Sequence, residues 1–183
     1  FIEHRWLHGI KGFVAEEAYA VPIGEAKKTR EGKDVTIIAS SYMTLEASRA
    51  AELLSHDDID AEVLDLRTIK PLDESAIIRS IEKTHRVIVV EDAWQSFGVS
   101  AEILALISKK SWGTLKCAPC RLTFPDVPTP TSWALANHYY PKARDIVDSA
   151  RTMFGLPLLS DKELGIFPDT PMDVPDKTFK GPF

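Results

Sequence analysis

Arg67 is the residue whose type and position best suit the binding of an anion. It lies in the polar stretch 65–73, just past the carboxyl end of a predicted strand. A guanidinium at such an edge can bind a carboxylate or a phosphate through two hydrogen bonds. The alternative is an internal ion pair with Asp65, Asp73 or Glu91, and structural ion pairs are commoner than binding sites. We therefore expect Arg67 either to bind a substrate anion or to form such a pair.

Two further pairs of residues have the composition of a reactive site. Cys117 and Cys120 have the C-x-x-C spacing, but they lead into an extended pattern, whereas a thioredoxin-type motif opens a helix. Residues three apart in a strand point to opposite faces, which argues against redox chemistry. Glu91 and Asp92 end a predicted strand, where adjacent side chains diverge, so we expect turn formers or caps rather than an acid–base pair.

The five histidines of the chain are scattered along the sequence. His4 and His8 have the i, i+4 spacing of helical metal ligands, but Gly9 and the lack of a helical pattern weaken a metal site there. The sequence contains no Ser-His-Asp elbow, no G-x-x-x-x-G-K and no G-x-G-x-x-G. It therefore predicts no catalytic residue, no cofactor-binding residue and no metal ligand in this chain.

The elements that must position these residues alternate between strand and helix. The run Val87–Val90 predicts a strand covered on both faces, ended by the two acids, and a helix begins at Gly98. Other strands are predicted at 35–40, 62–66 and 119–124, with helices at 44–55, 73–83, 132–139 and around 146–154. Asp73 is the expected N-cap of the second helix. This order predicts an α/β fold, a three-layer α/β/α sandwich whose strands are mostly parallel.

The chain divides into three parts by composition. Residues 1–34 are expected to be a connecting segment on the surface, with an edge strand entered at Val21–Gly24. Residues 35–154 form the α/β domain. Residues 155–183 hold five prolines and three glycines in 29 positions, which predicts an extended, weakly ordered tail that packs on another surface. Because the chain begins with Phe1, we expect it to be part of a longer protein.

Charge and cysteine content narrow the function classes. The formal net charge is −5 and the pI is about 5.6, which disfavours nucleic acid and an anionic membrane as partners and suits a basic protein partner. No apolar run approaches the ~20 residues of a membrane span. Two cysteines without a framework of pairs suit a reducing compartment, so we expect a cytoplasmic location.

Several stretches of the sequence follow one another in a familiar order and spacing. They are Val-Pro-Ile-Gly-Glu-Ala-Lys at 21–27, Glu-Gly-Lys-Asp-Val-Thr at 31–36, the stretch 61–73, Glu-Asp-Ala-Trp at 91–94, Phe-Gly-Val-Ser-Ala-Glu-Ile at 97–103, Arg-Leu-Thr-Phe-Pro-Asp-Val-Pro-Thr-Pro at 121–130, and Tyr-Pro at 140–141. Over residues 1–153 the chain resembles the C-terminal domain of the beta subunit of thiamine-diphosphate-dependent 2-oxo acid dehydrogenases of the pyruvate and branched-chain type. More widely it is similar to the C-terminal domain of transketolase-type enzymes.

The resemblance implies a five-stranded mixed sheet in which one strand, near Val21–Ala26, runs antiparallel. It implies that thiamine diphosphate and a divalent metal serve the full enzyme and that this chain binds neither, because the cofactor lies on the alpha subunit and on the beta subunit's N-terminal domain. The implied partners are an alpha subunit, a second beta subunit and the basic subunit-binding domain of the acyltransferase core. In related single-chain enzymes an arginine at the position of Arg67 approaches the anionic group of the substrate.

The expected function is therefore assembly and partner docking in an enzyme that oxidatively decarboxylates a 2-oxo acid and passes the acyl group to a lipoyl arm, with this chain inactive alone. One alternative is the C-terminal part of a transketolase or a deoxyxylulose-phosphate synthase, where Arg67 would bind a substrate phosphate. A second is a free-standing α/β interaction module. The turn at 94–98 and the match at 21–27 favour the dehydrogenase subunit. Cys117, Cys120 and the tail 155–183 depart from the family pattern.

Overall fold

The structure, a computed structural model, describes residues 1–160 and 162–164 of the 183-residue chain. Its centre is a five-stranded sheet in the order β1-β3-β2-β4-β5. The strands are β1 (Lys27–Arg30), β2 (Val35–Ala39), β3 (Ala61–Asp65), β4 (Val87–Trp94) and β5 (Cys120–Phe124). Strands β2 to β5 pair in parallel and β1 runs antiparallel to β3. The predicted mixed, mostly parallel sheet is confirmed.

Helices cover both faces of this sheet. They are α1 (Tyr42–Leu54), α2 (Glu74–Thr84), α3 (Val99–Lys110), the short α4 (Trp133–Ala136) and α5 (Ala143–Met153). One apolar core lies between the sheet and helices α1 and α5, and a second lies between the sheet and helices α2 and α3. The three-layer α/β/α sandwich is therefore confirmed.

Strand β2 shows how the sequence produces these two cores. All five of its residues are buried, as expected of a central strand covered on both sides. Val35, Ile37 and Ala39 enter the first core, and Ile38 enters the second. Thr36 also faces the second side, where its hydroxyl meets the Thr84 hydroxyl at 2.8 Å and donates to a helix α2 carbonyl, so burying it leaves no polar atom unsatisfied.

The N-cap predicted for helix α2 is confirmed. The Asp73 carboxylate accepts a hydrogen bond of 3.0 Å from the Ala76 N–H, in the first turn of the helix. Leu72 and Ile77, which flank this cap, both belong to the second core. A carboxylate at this end of a helix also favours the helix dipole.

The predicted position of the antiparallel edge strand was wrong. The strand lies at Lys27–Arg30, directly after the predicted stretch, and its pairing with β3 begins at Lys27 opposite Asp65. Val21 and Ile23 are exposed instead. Gly24 has a φ of +88°, and its N–H donates to the Thr68 hydroxyl rather than to a strand. The chain therefore turns at Gly24 and enters the sheet only afterwards.

Strand β4 continues through the two acids that were expected to end it, as far as Trp94. Glu91 is buried there because its carboxylate is hydrogen-bonded, as described below. The pairing of β4 with β5 becomes irregular between Val90 and Trp94. Glu91 therefore does not end the strand, because its buried carboxylate is hydrogen-bonded to Ser100.

The first part of the predicted tail packs against the domain itself, whereas another surface was expected. Leu164 is buried in the first core and Leu159 packs against the same core. The Arg151 side chain donates to the Pro157 carbonyl at 2.7 Å and pairs with the Asp57 carboxylate. The remainder of the predicted tail, 161 and 165–183, lies outside the described residues.

Candidate functional site

The four parallel strands end at one edge of the sheet, which we call the carboxyl edge. It comprises the segments that follow β2, β3, β4 and β5: residues 40–41, 66–68, 95–98 and 125–127. Open α/β sheets bind their ligands in the crevice outside the carboxyl ends of the strands. The candidate site is therefore sought among these segments.

Arg67 lies on this edge with its side chain in solvent. Its backbone has a φ of +54°, a left-handed conformation that its own N–H helps to hold by donating to Asp65 Oδ1 at 3.1 Å. Residues other than glycine rarely adopt this conformation, and they concentrate at functional positions. The backbone therefore turns sharply at the residue that the sequence singled out.

None of the three carboxylates considered as internal partners pairs with Arg67. Asp65 accepts from the Arg67 backbone, Asp73 accepts from two backbone N–H groups, and Glu91 accepts from Ser100. Within residues 1–160 and 162–164, the Arg67 guanidinium makes neither a hydrogen bond nor an ion pair. The charge is free to meet an anion that comes from outside this chain.

Glu91 acts as a buried cap rather than as an acid. Its carboxylate accepts from the Ser100 N–H at 3.1 Å and from the Ser100 hydroxyl. Ser100 lies in the first turn of helix α3, whose unpaired N–H groups and dipole both favour a carboxylate. Gly98 lies against this carboxylate, since a Cβ there would meet the Glu91 Cδ at 2.9 Å. The prediction that the strand-terminal acids serve as caps is confirmed for Glu91.

The turn between β4 and α3 is held so that it presents two aromatic side chains to solvent. Ser96 donates to the Asp126 carboxylate through its N–H at 2.9 Å and its hydroxyl at 2.6 Å. The Gln95 N–H donates to the Phe124 carbonyl at 2.9 Å. Phe97 has a φ of +61° and a fully exposed ring, and Trp94 is 56% exposed. The turn therefore leaves two aromatic rings available for contact with another molecule.

Aromatic rings beneath this turn fix its position on the sheet. The Trp94 indole N–H donates to the Tyr139 hydroxyl at 3.0 Å. Tyr139 also packs against Phe124 with ring centroids 4.8 Å apart, and Tyr140 lies edge-on to Phe124 at 5.3 Å. The two tyrosines of the irregular stretch after β5 therefore support the end of the strand. The sequence offered no explanation for them.

His4 joins the N-terminal segment to the carboxyl edge. Its ring stacks on Tyr42 with centroids 4.9 Å apart, and its Nε2 lies 3.7 Å from Asp92 Oδ2. Nδ1 accepts from the Trp6 N–H at 3.3 Å. Burial lowers the pKa of His4, although the Asp92 carboxylate acts in the opposite direction. Sequence reasoning missed this contact, because nothing in the spacing of His4 and Asp92 brings them together.

The remaining candidates lie away from the carboxyl edge. Cys120 is the first residue of β5, so the C-x-x-C stretch lies at the opposite end of the strands from Arg67 and opens a strand, as the pattern predicted. His8 contacts Glu3 at 3.0 Å, and His85 ends helix α2 at the amino end of β4. The structure therefore brings none of these residues to Arg67.

Acidic, histidine and cysteine side chains are the groups that could form a metal cluster. Across residues 1–160 and 162–164, no three His, Cys, Asp or Glu side chains lie close enough to hold a metal ion. Arg67 offers one cation at the carboxyl edge but no cradle for a diphosphate. None of the described helices is both long and apolar enough to cross a membrane.

Comparison with known proteins identifies related chains. The family described as "Transketolase, C-terminal domain" matches residues 24–146. The beta subunit of acetoin:2,6-dichlorophenolindophenol oxidoreductase from Cupriavidus necator is 40% identical over 156 residues, which cover 85% of this chain and 46% of that protein. The pyruvate dehydrogenase E1 component subunit beta of Porphyra purpurea is 35% identical over 153 residues, covering 84% of this chain and 46% of that protein. This chain therefore spans less than half the length of these relatives.

A solved structure supports the same relationship. A split-gene transketolase, described as an inactive beta4 tetramer, superposes with a TM-score of 0.65 at 28% sequence identity. The match covers 75% of this chain and 45% of that chain. The similarity in structure therefore extends over most of the described domain.

Proposed function

Because the chain belongs to the family of transketolase C-terminal domains, we propose that it is the C-terminal domain of the beta subunit of a thiamine-diphosphate-dependent dehydrogenase that acts on a 2-oxo acid. The observation that carries this proposal is the identity of 35 to 40% to beta subunits of pyruvate dehydrogenase and of acetoin oxidoreductase over more than four fifths of the chain. Within this proposal, residues 1–34 connect to a preceding domain and supply the edge strand β1, residues 35–154 form the rest of the family domain, and residues 155–183 extend it.

The proposal divides the roles in the enzyme between this chain and the other parts. Thiamine diphosphate supplies the electron sink for breaking a bond next to a carbonyl. The proposal assigns thiamine diphosphate and the metal to other parts of the enzyme, as the family resemblance implies. This chain contributes a positively charged residue and a rigid contact surface at its carboxyl edge, and no catalytic residue of its own.

Arg67 is proposed to bind the carboxylate of the 2-oxo acid. The proposal is supported by its position at the carboxyl edge, its solvent exposure and the absence of an ion pair for it within the described residues. In the assembled enzyme, Arg67→Ala should raise KM for the substrate by about tenfold, the usual effect of one lost charge-assisted contact. Lys116→Ala, an exposed lysine at the opposite end of the strands, serves as the matched control and should leave KM unchanged.

This test separates binding from a structural role. A structural role would lower the melting temperature of Arg67→Ala and leave KM at the wild-type value. An equal change in KM for Arg67→Ala and Lys116→Ala would show that overall charge, and not this position, matters. Partial recovery of KM by Arg67→Lys would support direct contact with the anion, since lysine keeps the charge without the two-point geometry.

The proposed partners are an alpha subunit, a second beta subunit and the basic subunit-binding domain of an acyltransferase core. The relatives are themselves named as beta subunits, and the exposed rings of Trp94 and Phe97 suit a subunit contact. The net charge of −5 suits a basic partner. A cytoplasmic location is proposed because both cysteines are free, as they are in a reducing compartment.

The activity test uses the full-length beta subunit with an alpha partner, thiamine diphosphate and Mg²⁺. Pyruvate, branched-chain 2-oxo acids and acetoin are offered as substrates with a dye as electron acceptor. Dye reduction only in the mixture supports the dehydrogenase reading, and the preferred substrate identifies the class. Turnover of sugar phosphates by the beta chain alone would favour a transketolase or deoxyxylulose-phosphate synthase instead. Failure of every mixture to bind the cofactor would favour an interaction module.

A further inference from the structure

A groove lies between the edge strand β1 and helix α2, on the side of the sheet that carries the second core. It encloses about 610 Å³, a volume in the range of small-molecule sites. Its charged lining comprises three cations, Lys28 from β1 and Arg79 and Lys83 from α2, and two acids, Glu25 and Asp73. The groove is separate from Arg67 and from the turn at 94–98, neither of which lines it.

Two of these cations already hold a carboxylate from this chain. Lys28 Nζ lies 2.6 Å from Glu31 Oε1, and Lys83 Nζ lies 3.1 Å from Glu31 Oε2. Each oxygen of the Glu31 carboxylate therefore meets a different ammonium. The two hydrogen bonds from these lysines lower the pKa of Glu31 to about 2. The contacts show the geometry in which this pair of lysines clamps an oxyanion.

Glu31 is a weakly held occupant of that clamp. It lies on the turn after β1, with 69% of its side chain exposed, and exposed ion pairs contribute little to stability. Without it, the two lysine charges face a single carboxylate, that of Glu62, and one positive charge is left for an incoming anion. Beneath them lies Glu62, a fully buried carboxylate on β3, and one of its oxygens pairs with Lys83. The other oxygen, Oε1, has no hydrogen-bond partner among the described residues.

Arg79 adds a third positive charge that is not used inside the domain. It is exposed on α2, and within the described ranges its guanidinium makes neither an ion pair nor a hydrogen bond. Of the two acids in the groove wall, Asp73 accepts from the backbone of Ala26 and Ala76, and Glu25 is exposed to solvent. An anion entering the groove thus meets a free guanidinium beside the two-lysine clamp.

We propose that the groove between β1 and α2 binds a small organic anion with a carboxylate or phosphate head group, held by Lys28, Lys83 and Arg79 in place of the Glu31 carboxylate. Glu62 stays with the lysines and keeps them in position when Glu31 leaves. Glu31 is then a built-in competitor, which lowers the affinity of the groove for weak anions and confines binding to ligands that also reach Arg79.

The test is a titration of the 183-residue chain with inorganic phosphate and, separately, with malonate at constant ionic strength. Binding is followed by amide chemical shifts of β1 and α2. We expect saturation in the millimolar range for at least one probe. Arg79→Gln should weaken binding about tenfold, and Glu31→Gln should strengthen it about threefold or more by removing the competitor. Glu102→Gln, an exposed acid on α3, removes the same charge elsewhere and should leave the affinity unchanged.

The change in anion affinity caused by Glu31→Gln distinguishes a binding site from a purely structural ion pair. A purely structural ion pair predicts no gain in affinity when Glu31 is neutralised. The proposal is overturned if neither probe saturates, if Glu31→Gln and Glu102→Gln have equal effects, or if Arg79→Gln binds as tightly as the wild type. A response to malonate alone assigns a carboxylate head group, and a response to phosphate alone assigns a phosphate. Neither result depends on the activity of the assembled enzyme.

Discussion

Replacing Gly98 by alanine should disrupt the turn that presents Trp94 and Phe97. The added Cβ would lie 2.9 Å from the Glu91 Cδ and 2.9 Å from the Trp94 carbonyl oxygen, and closer still to Glu91 Oε1. Gly98 itself has a φ of −69°, which alanine adopts without strain. The effect must therefore come from the steric conflict with the Glu91 carboxylate and the Trp94 carbonyl oxygen, and not from the φ angle of residue 98.

The size of the effect follows from the contacts that Glu91 would lose. Its carboxylate caps helix α3 through the Ser100 N–H and hydroxyl, and a lost cap costs about 1–2 kcal/mol. A buried carboxylate that keeps no partner adds about 1–3 kcal/mol. Alanine restricts the unfolded chain and returns about 0.4–1 kcal/mol. We therefore expect the free energy of unfolding to fall by about 3 kcal/mol.

The assay is urea unfolding of four variants followed by circular dichroism. Gly98→Ala is compared with Gly113→Ala, since a Cβ at Gly113 would meet no atom within 4 Å. The control should stay within about 1 kcal/mol of the wild type. Glu91→Ala removes the carboxylate but not the Trp94 carbonyl oxygen, so the double variant Glu91→Ala/Gly98→Ala should lose less stability than the sum of the two single losses. The reasoning is refuted if Gly98→Ala matches Gly113→Ala or if the two losses simply add.

Two more predictions concern Gly32 and His4. Gly32→Ala should lower the free energy of unfolding by more than about 3 kcal/mol in the same urea assay, because its Cβ would lie 2.6 Å from the Ala61 carbonyl oxygen and the strand backbone cannot move aside. His4→Gln should reduce the loss of melting temperature between pH 7.5 and 5.5. Burial lowers the pKa of His4 below 6.5, so the unfolded chain takes up a proton first and wild-type stability falls as the pH falls below about 6.5.

A different result would contradict each of these two predictions. A Gly32→Ala protein as stable as Gly113→Ala would mean that the chain does not pass this close to β3. For His4, groups other than its imidazole titrate alike in both proteins, so the difference between them isolates one residue. If the melting temperature of His4→Gln fell by as many degrees as that of the wild type over this pH range, the His4 ring would not be held on Tyr42 in its neutral form.

The elements with strong local patterns could be predicted from the sequence. The β-branched run of β4 and the mostly apolar run of β2 each predict a buried strand, and Asp73 before a helical stripe predicts the start of α2. These features depend on side chains that are close in the sequence, so secondary-structure propensity and hydrophobic periodicity are sufficient to predict them. The order of strand and helix then restricts the topology to a few possibilities.

The errors arose where a distant partner decides the structure. The edge strand lies a few residues after its predicted position, because pairing with β3 begins at Lys27 and the side chains of Thr68 and Asp73 hold the preceding residues. Strand β4 runs past Glu91 because Ser100 supplies the hydrogen bonds that a buried carboxylate needs. The spacing of residues along the chain does not identify these distant hydrogen-bond partners.

The candidate site was predicted only in part. Arg67 was identified as a residue at the carboxyl edge, but its freedom from the three nearby acids could be seen only once their hydrogen bonds were known. The contact of His4 with Asp92 and the groove lined by Lys28, Arg79 and Lys83 combine residues from different elements. Their juxtaposition depends on the order of the strands in the sheet, which the sequence restricted but did not specify.

The measurement that tests the central claim most directly is the mass of the complex formed by the full-length beta subunit and an alpha partner in solution. Sedimentation of each subunit and of their mixture should show a new species with equal numbers of both. Replacing Phe97, the fully exposed ring of the turn, by aspartate should dissociate it without changing the melting temperature of the beta subunit. Unchanged masses in the mixture, with the beta subunit keeping its own oligomeric state at every concentration, would contradict the account.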